Sequence, residues 1–183
     1  YEFPVQSTEQ TRASFGFTGK QIGGALGKAL QRYADNPEEQ AAVSVIAADP
    51  EYVGTLRTTC VATLLKGGHA DNALPQLASA TVNCRIFPGV SVESVRAKIA
   101  EVIDNPKATV KGIGTPYASD ASPMRGDVMQ AVRKAVDANF AGLPIVPSMS
   151  SGATDSLYVG ADSIPSNALS GGIIQAVDDH THE

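Results

Sequence analysis

Residues 57–89 read RTTCVATLLKGGHADNALPQLASATVNCRIFPG, and this stretch decides the fold. Thr55 to Leu65 is rich in β-branched residues and reads as a strand. Gly67-Gly68 interrupts it, and His69 to Pro75 forms a loop. Ala78 to Phe87 is the clearest strand of the chain. Ala80, Val82, Cys84 and Ile86 alternate with Thr81, Asn83, Arg85 and Phe87, so the first set is expected on a core face and Asn83 and Arg85 on the other. Arg57–Leu65 and Ala78–Phe87 are expected to pair as adjacent antiparallel strands.

Outward from this pair, Pro88-Gly89 turns the chain. Ser91 suits the N-cap of a helix whose apolar stripe is Val92, Val95, Ile99, Val102 and Ile103. Asn105-Pro106 ends that helix, and Lys107 to Ile113 suits an edge strand with its lysines in water. Upstream, Ile22, Leu26, Leu30 and Tyr33 give Gln21 to Tyr33 a helical period, weakened by its glycines. Pro37 opens a short helix over 38–48, which Asp49-Pro50 closes. Residues 1–20 are polar, contain glycine and show no clear period, which reads as a loop or as the remnant of an element whose partner is missing. Downstream, Thr115 to Pro123 has linker composition. A helix then runs to Phe140 on Val128, Val132 and Val136, and Gly142 to Pro147 suits a short buried strand. The whole is α+β, an antiparallel sheet with helices on one face, followed by part of a second unit.

Composition narrows the function. The chain has 183 residues, 43% apolar, so a packed core is within reach. Its net charge is −5, and no Lys/Arg cluster offers the basic face that nucleic acid requires. No apolar run approaches a membrane span. Tyr1 to Gln6 lacks the charged and apolar regions of a signal peptide. Cys60 and Cys84 fall inside strands and read as two buried small hydrophobes, since nothing else marks a disulfide scaffold.

Three motifs are candidates for chemistry. Ser148 to Ser156 reads Ser-Met-Ser-Ser-Gly-Ala-Thr-Asp-Ser, where small residues let a backbone approach a ligand. A helix beginning near Thr154 would hold an anion on its free N–H groups, or the turn is a capped helix start with Asp155 serving the dipole. At the end stand Asp178, Asp179, His180, Thr181, His182 and Glu183, dense in cation ligands. On an extended segment His180 and His182 would point the same way as Asp178, a pattern suited to zinc, or to a solvated tail. Asn72 offers amide donors to a substrate carboxylate or closes an Asx turn. Arg85 is a bidentate carboxylate clamp or a surface charge, with Arg57 a weaker version of the same. A serine nucleophile at Ser150 or Ser151 with His182 lacks the Gly-x-Ser-x-Gly elbow.

In this order the motifs carry more than they do apart. Arg57-Thr-Thr-Cys-Val-Ala-Thr63, then Gly67-Gly-His-Ala-Asp-Asn-Ala-Leu-Pro75, then Ala80-Thr-Val-Asn-Cys-Arg-Ile-Phe-Pro-Gly89 resembles the dimerisation (lid) domain of the aminoacylase/carboxypeptidase G/desuccinylase family of zinc peptidases, metallopeptidase family twenty. Ser151-Gly-Ala-Thr-Asp-Ser156 and Ile164-Pro165, ending in His182, is similar to that family's returning catalytic segment. The resemblance covers about residues 20 to 183. It implies a ferredoxin-like lid over 1–118, short of its first elements, and a partial catalytic domain over 119–183. It also implies a homodimer through the lid, a pair of zinc ions in the full-length enzyme, and a peptide or N-acyl amino acid as substrate. Asn72, Arg85 and Gly152, Ala153, Thr154 and Asp155 would then contact the substrate carboxylate or the oxyanion, and His182 would be a metal ligand, although Glu183 stands where the family has glycine. The family's His-x-Asp, bridging Asp, Glu-Glu and Gly-His segments have no match here. The alternative is a dimerisation or binding module without catalysis of its own.

Overall fold

The computed structural model describes residues 1–114 and 120–149. Five helices and one two-stranded sheet follow in the order α1 (Glu9–Ile22), α2 (Gly24–Asp35), α3 (Gln40–Ala47), β1 (Thr59–Gly67), β2 (Ala78–Arg85), α4 (Val92–Ile103) and α5 (Gly126–Asn139). The mixed α+β class is as expected, but the helices do not all lie on the sheet.

The first three helices build a core of their own. Phe15 of α1, Ala29, Leu30 and Tyr33 of α2, Ala42, Val43 and Ile46 of α3, and Leu56 pack into one buried cluster. Phe15 lies 5.3 Å from the Tyr33 ring and 5.7 Å edge-on from Tyr52. The Tyr33 hydroxyl donates to the Gln6 carbonyl at 2.6 Å, which satisfies the polar end of a wholly buried ring. Burial pushes this phenol up to about 12.

Residues 1–20, expected to be a loop or the remnant of an element, carry helix α1. Its packed face is Gln10, Thr11, Phe15 and Gly19, spaced as a helix but mostly polar or small. A capping box opens it: Thr8 accepts from the Thr11 N–H, and the Thr8 N–H donates to the Thr11 hydroxyl at 2.8 Å. The single helix expected from Gln21 is instead broken at Gly23 and Gly24, whose φ values of 61° and 65° only glycine takes without strain. Ile22, assigned to the buried stripe, is 48% exposed at the end of α1. Gly19 and Gly27 are the point where α1 and α2 touch. A Cβ on either would come within 2.5 Å of the other's carbonyl oxygen. The third helix begins at Gln40, with Pro37 in the turn before it.

Strand β1 starts at Thr59 rather than Thr55, because Val53–Thr55 forms a 3-10 turn and Leu56 is drawn into the helical core. It pairs with β2 antiparallel, as expected, from Thr59↔Arg85 to Gly67↔Ala78, with a bulge between Ala62 and Leu64. Helix α4 is capped by Ser91, whose hydroxyl accepts from the Ser94 N–H at 3.1 Å. It packs Val95, with Val92 and Ile99 partly buried, onto Cys84 and Ile86 in a second cluster. Its last residues turn outward, and Val102 and Ile103 are nearly half exposed.

Two expected strands are irregular. Lys107 to Ile113 has no partner in the described sheet, and the Arg96 guanidinium holds its backbone at the Val110 carbonyl, 3.2 Å away. Gly142 to Pro147 forms no strand: Gly142 lies in a turn with φ 77°, and Leu143 to Pro147 join no ladder. Helix α5 forms on the expected valines, yet none of its residues is buried. A link from its approach to α1 is the Gln10 side-chain amide, which donates to the Ser122 carbonyl.

Candidate functional site

The β1–β2 hairpin is anchored in the second cluster at its foot and left uncovered beyond it. Every residue from 61 to 80 is exposed, so the hairpin leaves the second cluster and projects as an arm. Paired residues share a face. One face carries Cys60, Ala62, Leu65 and Gly67 opposite Cys84, Val82, Ala80 and Ala78. The other carries Thr59, Val61, Leu64 and Lys66 opposite Arg85, Asn83, Thr81 and Ser79. The first face is apolar along its length. It is the face expected to be core, and the alternation is as read, but beyond the cysteines it is uncovered: Leu65 is 79% exposed and Val82 40%. A buried-type face left open on a monomer marks a surface that another body covers.

The two cysteines are bonded to each other, which corrects the reading of separate buried thiols. The cause is register. Cys60 and Cys84 are directly opposed, with Cα atoms 4.1 Å apart, at the point where the arm leaves the core. Sequence alone did not give that register.

Two of the expected substrate contacts are described, and they are far apart. Asn72 is exposed in the turn at the arm's tip. Arg85 closes β2 at the base, on the polar face, where it and Asn83 are both engaged by neighbours. Seven strand steps from Arg85 to Ala78 alone span about 23 Å. One copy of the hairpin therefore does not bring Asn72 and Arg85 to one ligand. Arg57, the weaker candidate, is mostly buried and pairs with Glu2. Gly152, Ala153, Thr154, Asp155 and His182, with His180, Asp178 and Asp179, lie outside the described residues, as does Ser151.

Among the described residues no group of three or more His, Cys, Asp or Glu side chains could hold a metal ion. His69 is exposed on the arm, and both cysteines are used by the disulfide. The described residues do not by themselves supply the three or so ligands a zinc ion needs. Among the described residues, Ser7, Thr8, Glu9, Arg12, Ala13 and Ala34 line a shallow depression. Its polar groups serve the fold: Thr8 caps α1, and Arg12 Nε donates to the Ala34 carbonyl at 2.9 Å.

Comparison with known proteins gives the segment that contains the arm its family. The model of the peptidase dimerisation domain of the M20 peptidases matches residues 16–111, from α1 through α4. The chain belongs to the M20 peptidase family. Residues of this M20 chain are 26% identical over 115 positions to the N-fatty-acyl-amino acid synthase/hydrolase PM20D1 of Xenopus tropicalis, covering 62% of the chain and 22% of that protein. They are 26% identical over 150 positions to a probable carboxypeptidase S-like 1 of Dictyostelium discoideum, covering 74% of the chain and 31% of that protein. The chain thus spans under a third of the length of these curated relatives. No solved structure matches it. No helix among the described residues is long and apolar enough to cross a membrane.

Proposed function

We propose that this chain is the dimerisation unit, with an adjoining piece of the catalytic half, of an M20 zinc hydrolase that cleaves peptide or N-acyl-amino-acid amides. The observation that carries the reading is the apolar face of the arm, uncovered within a segment that matches a dimerisation domain. Residues 1–118 form the dimerisation (lid) unit and 119–183 the partial catalytic unit. Two copies associate as a homodimer through the lid, and burying Leu65 in that interface contributes about 1.5–3 kcal/mol per copy. The hydrolase assignment draws on the relatives, one named as an N-fatty-acyl-amino acid synthase/hydrolase and one as a probable carboxypeptidase.

Within that enzyme Asn72 offers its amide from the arm's tip and Arg85 its guanidinium from the base, each to a substrate carboxylate or oxyanion. Because they are separated along the arm, they serve different parts of the substrate or different copies. The segment Gly152–Asp155 contributes backbone N–H groups, and His182 is a metal ligand, by their match to the family's motifs.

The other reading is a dimerisation or binding module without catalysis. It is favoured by the lack, among the described residues, of a metal-ligand cluster. The coding sequence upstream separates the two. His-x-Asp and Glu-Glu motifs there, with chelator-sensitive hydrolysis of an N-acyl amino acid by the full-length protein, support the enzyme. In that protein His182→Ala should abolish hydrolysis and leave the lid folded. Robust amidase activity from the purified 183-residue chain would contradict the division of labour proposed here.

A further inference from the structure

We propose that the Cys60–Cys84 bond is a thiol-sensitive latch that sets whether the arm is ordered. The bond sits at a boundary. Below it, Cys84 is 4% exposed and packs with Ile86 and Val95, and the Phe87 N–H donates to the buried Thr58 hydroxyl at 2.9 Å. Above it, every residue from 61 to 80 is exposed. The ladder there is interrupted at Thr63, whose hydroxyl lies a long 3.4 Å from the Thr81 carbonyl. An isolated two-stranded hairpin is marginal in water. A cross-link at the foot of this one, joining residues 24 apart in sequence, removes much of the entropy that fraying would gain. The apolar contacts of the foot are made mainly on the Cys84 side, and Cys60 on β1 is only partly buried, so the bond is the covalent tie between the two strands where the arm begins.

The release chemistry is ordinary exchange. Cys60 is the less buried of the two residues, so its sulfur is the one assigned to attack, whereas Cys84 is enclosed. A thiolate of a dithiol, small-molecule or protein, attacks Cys60 Sγ, and the Sγ–Sγ bond breaks. Cys84 leaves as a thiolate and takes a proton. The second thiol of the dithiol then displaces Cys60, and the reagent departs as its own disulfide. Two electrons pass from dithiol to protein, and a disulfide oxidant reverses the step. The apolar face of Ala62, Leu65, Ala80 and Val82 is presented in the bonded form and dispersed in the reduced one. Its consequence for assembly rests on the homodimer proposed above.

Hydrogen exchange read by mass spectrometry on the purified chain tests this at low micromolar concentration. The oxidised chain, the chain reduced with dithiothreitol, and a Cys60→Ser/Cys84→Ser variant are compared. Protection across residues 62–82 should fall at least about tenfold on reduction and in the variant, with α1–α3 unchanged and the variant indifferent to dithiol. Equal protection of the arm in both states overturns the latch. So does loss of protection in α1–α3 together with the arm, and so does an air-oxidised mass showing two free thiols. Sedimentation at high micromolar concentration is read separately. A monomer in both redox states would remove the dimer reading and leave the latch, whereas unchanged arm protection removes the latch whatever the assembly state.

Discussion

One methyl group at Gly19 should push α1 away from α2. A Cβ there would sit 2.5 Å from the Gly27 carbonyl oxygen and 3.1 Å from the Gln31 backbone nitrogen. Both obstacles are backbone, so the helices themselves must move. Overpacking of this kind costs about 1–3 kcal/mol. The shift also stretches the hydrogen bonds by which the Gln31 amide ties Gly19 and Gly27 together, at 3.0 and 3.2 Å to their carbonyls, a further ~1 kcal/mol. Against this, alanine favours the helix by about 1 kcal/mol over glycine. The net is a destabilisation of about 1–3 kcal/mol, a fall of roughly 1 M in urea midpoint at an unchanged slope. Gly27→Ala meets the Gly19 carbonyl at the same 2.5 Å and should behave alike. Gly16→Ala is the internal control, because its Cβ would meet only the Ala34 Cβ at 3.4 Å. It should be neutral or stabilising by up to ~1 kcal/mol. If Gly19→Ala raised the urea midpoint as Gly16→Ala does, the close helix crossing described here would be wrong.

Other perturbations have defined outcomes. Thr8→Ala removes the cap of α1 and should cost about 1 kcal/mol, read as a lower unfolding midpoint with exchange faster in the first turn. Tyr33→Phe leaves the Gln6 carbonyl without its donor and should cost about 1–2 kcal/mol. Tyr33 also sets a pH dependence: its folded pKa, pushed up to about 12, lies above the ordinary value of 10.0. Its stabilisation is therefore complete below pH 10 and lost as pH rises through about 12. In an ultraviolet titration the Tyr33 phenol should ionise last or with unfolding, and Tyr33→Phe should flatten the alkaline loss of stability. A Tyr33 phenolate forming near pH 10 in the folded chain would show that the ring is not enclosed.

The hairpin and α4 were legible because their signals are local. Alternation gave the strands and their faces, the Gly67-Gly68 break gave the turn region, and Ser91 with a clean apolar stripe gave the capped helix. Helix α1 was missed because its packing face uses Gln10, Thr11 and Gly19, residues that hydropathy counts as solvent-facing. Close approach at Gly19 buries it by geometry, which no single-residue scale records. The overlooked signal was Thr8 and Thr11 ahead of Phe15. The disulfide was missed because register is a long-range property: the bulge at Thr63 shifts the pairing beyond it, and two cysteines carry no framework by count alone. The open side of Ala80 and Val82 was misread as interior for a related reason. Alternation shows which face is apolar, not which body covers it. Of the site, Asn72 and Arg85 were placed in the right elements, but their separation along the arm depends on hairpin length, which residue chemistry does not convey.

Sedimentation equilibrium of the oxidised chain, alongside Leu65→Asp, shows whether the apolar face of the arm is the dimer interface. Leu65 is 79% exposed and lies opposite Ala80 on the arm's apolar face, so a carboxylate there costs the monomer little and charges the interface. The unsubstituted chain should be a dimer at high micromolar concentration, and Leu65→Asp a monomer with the same circular dichroism. An unsubstituted chain that stays monomeric, or a Leu65→Asp chain that still dimerises, would contradict that interface.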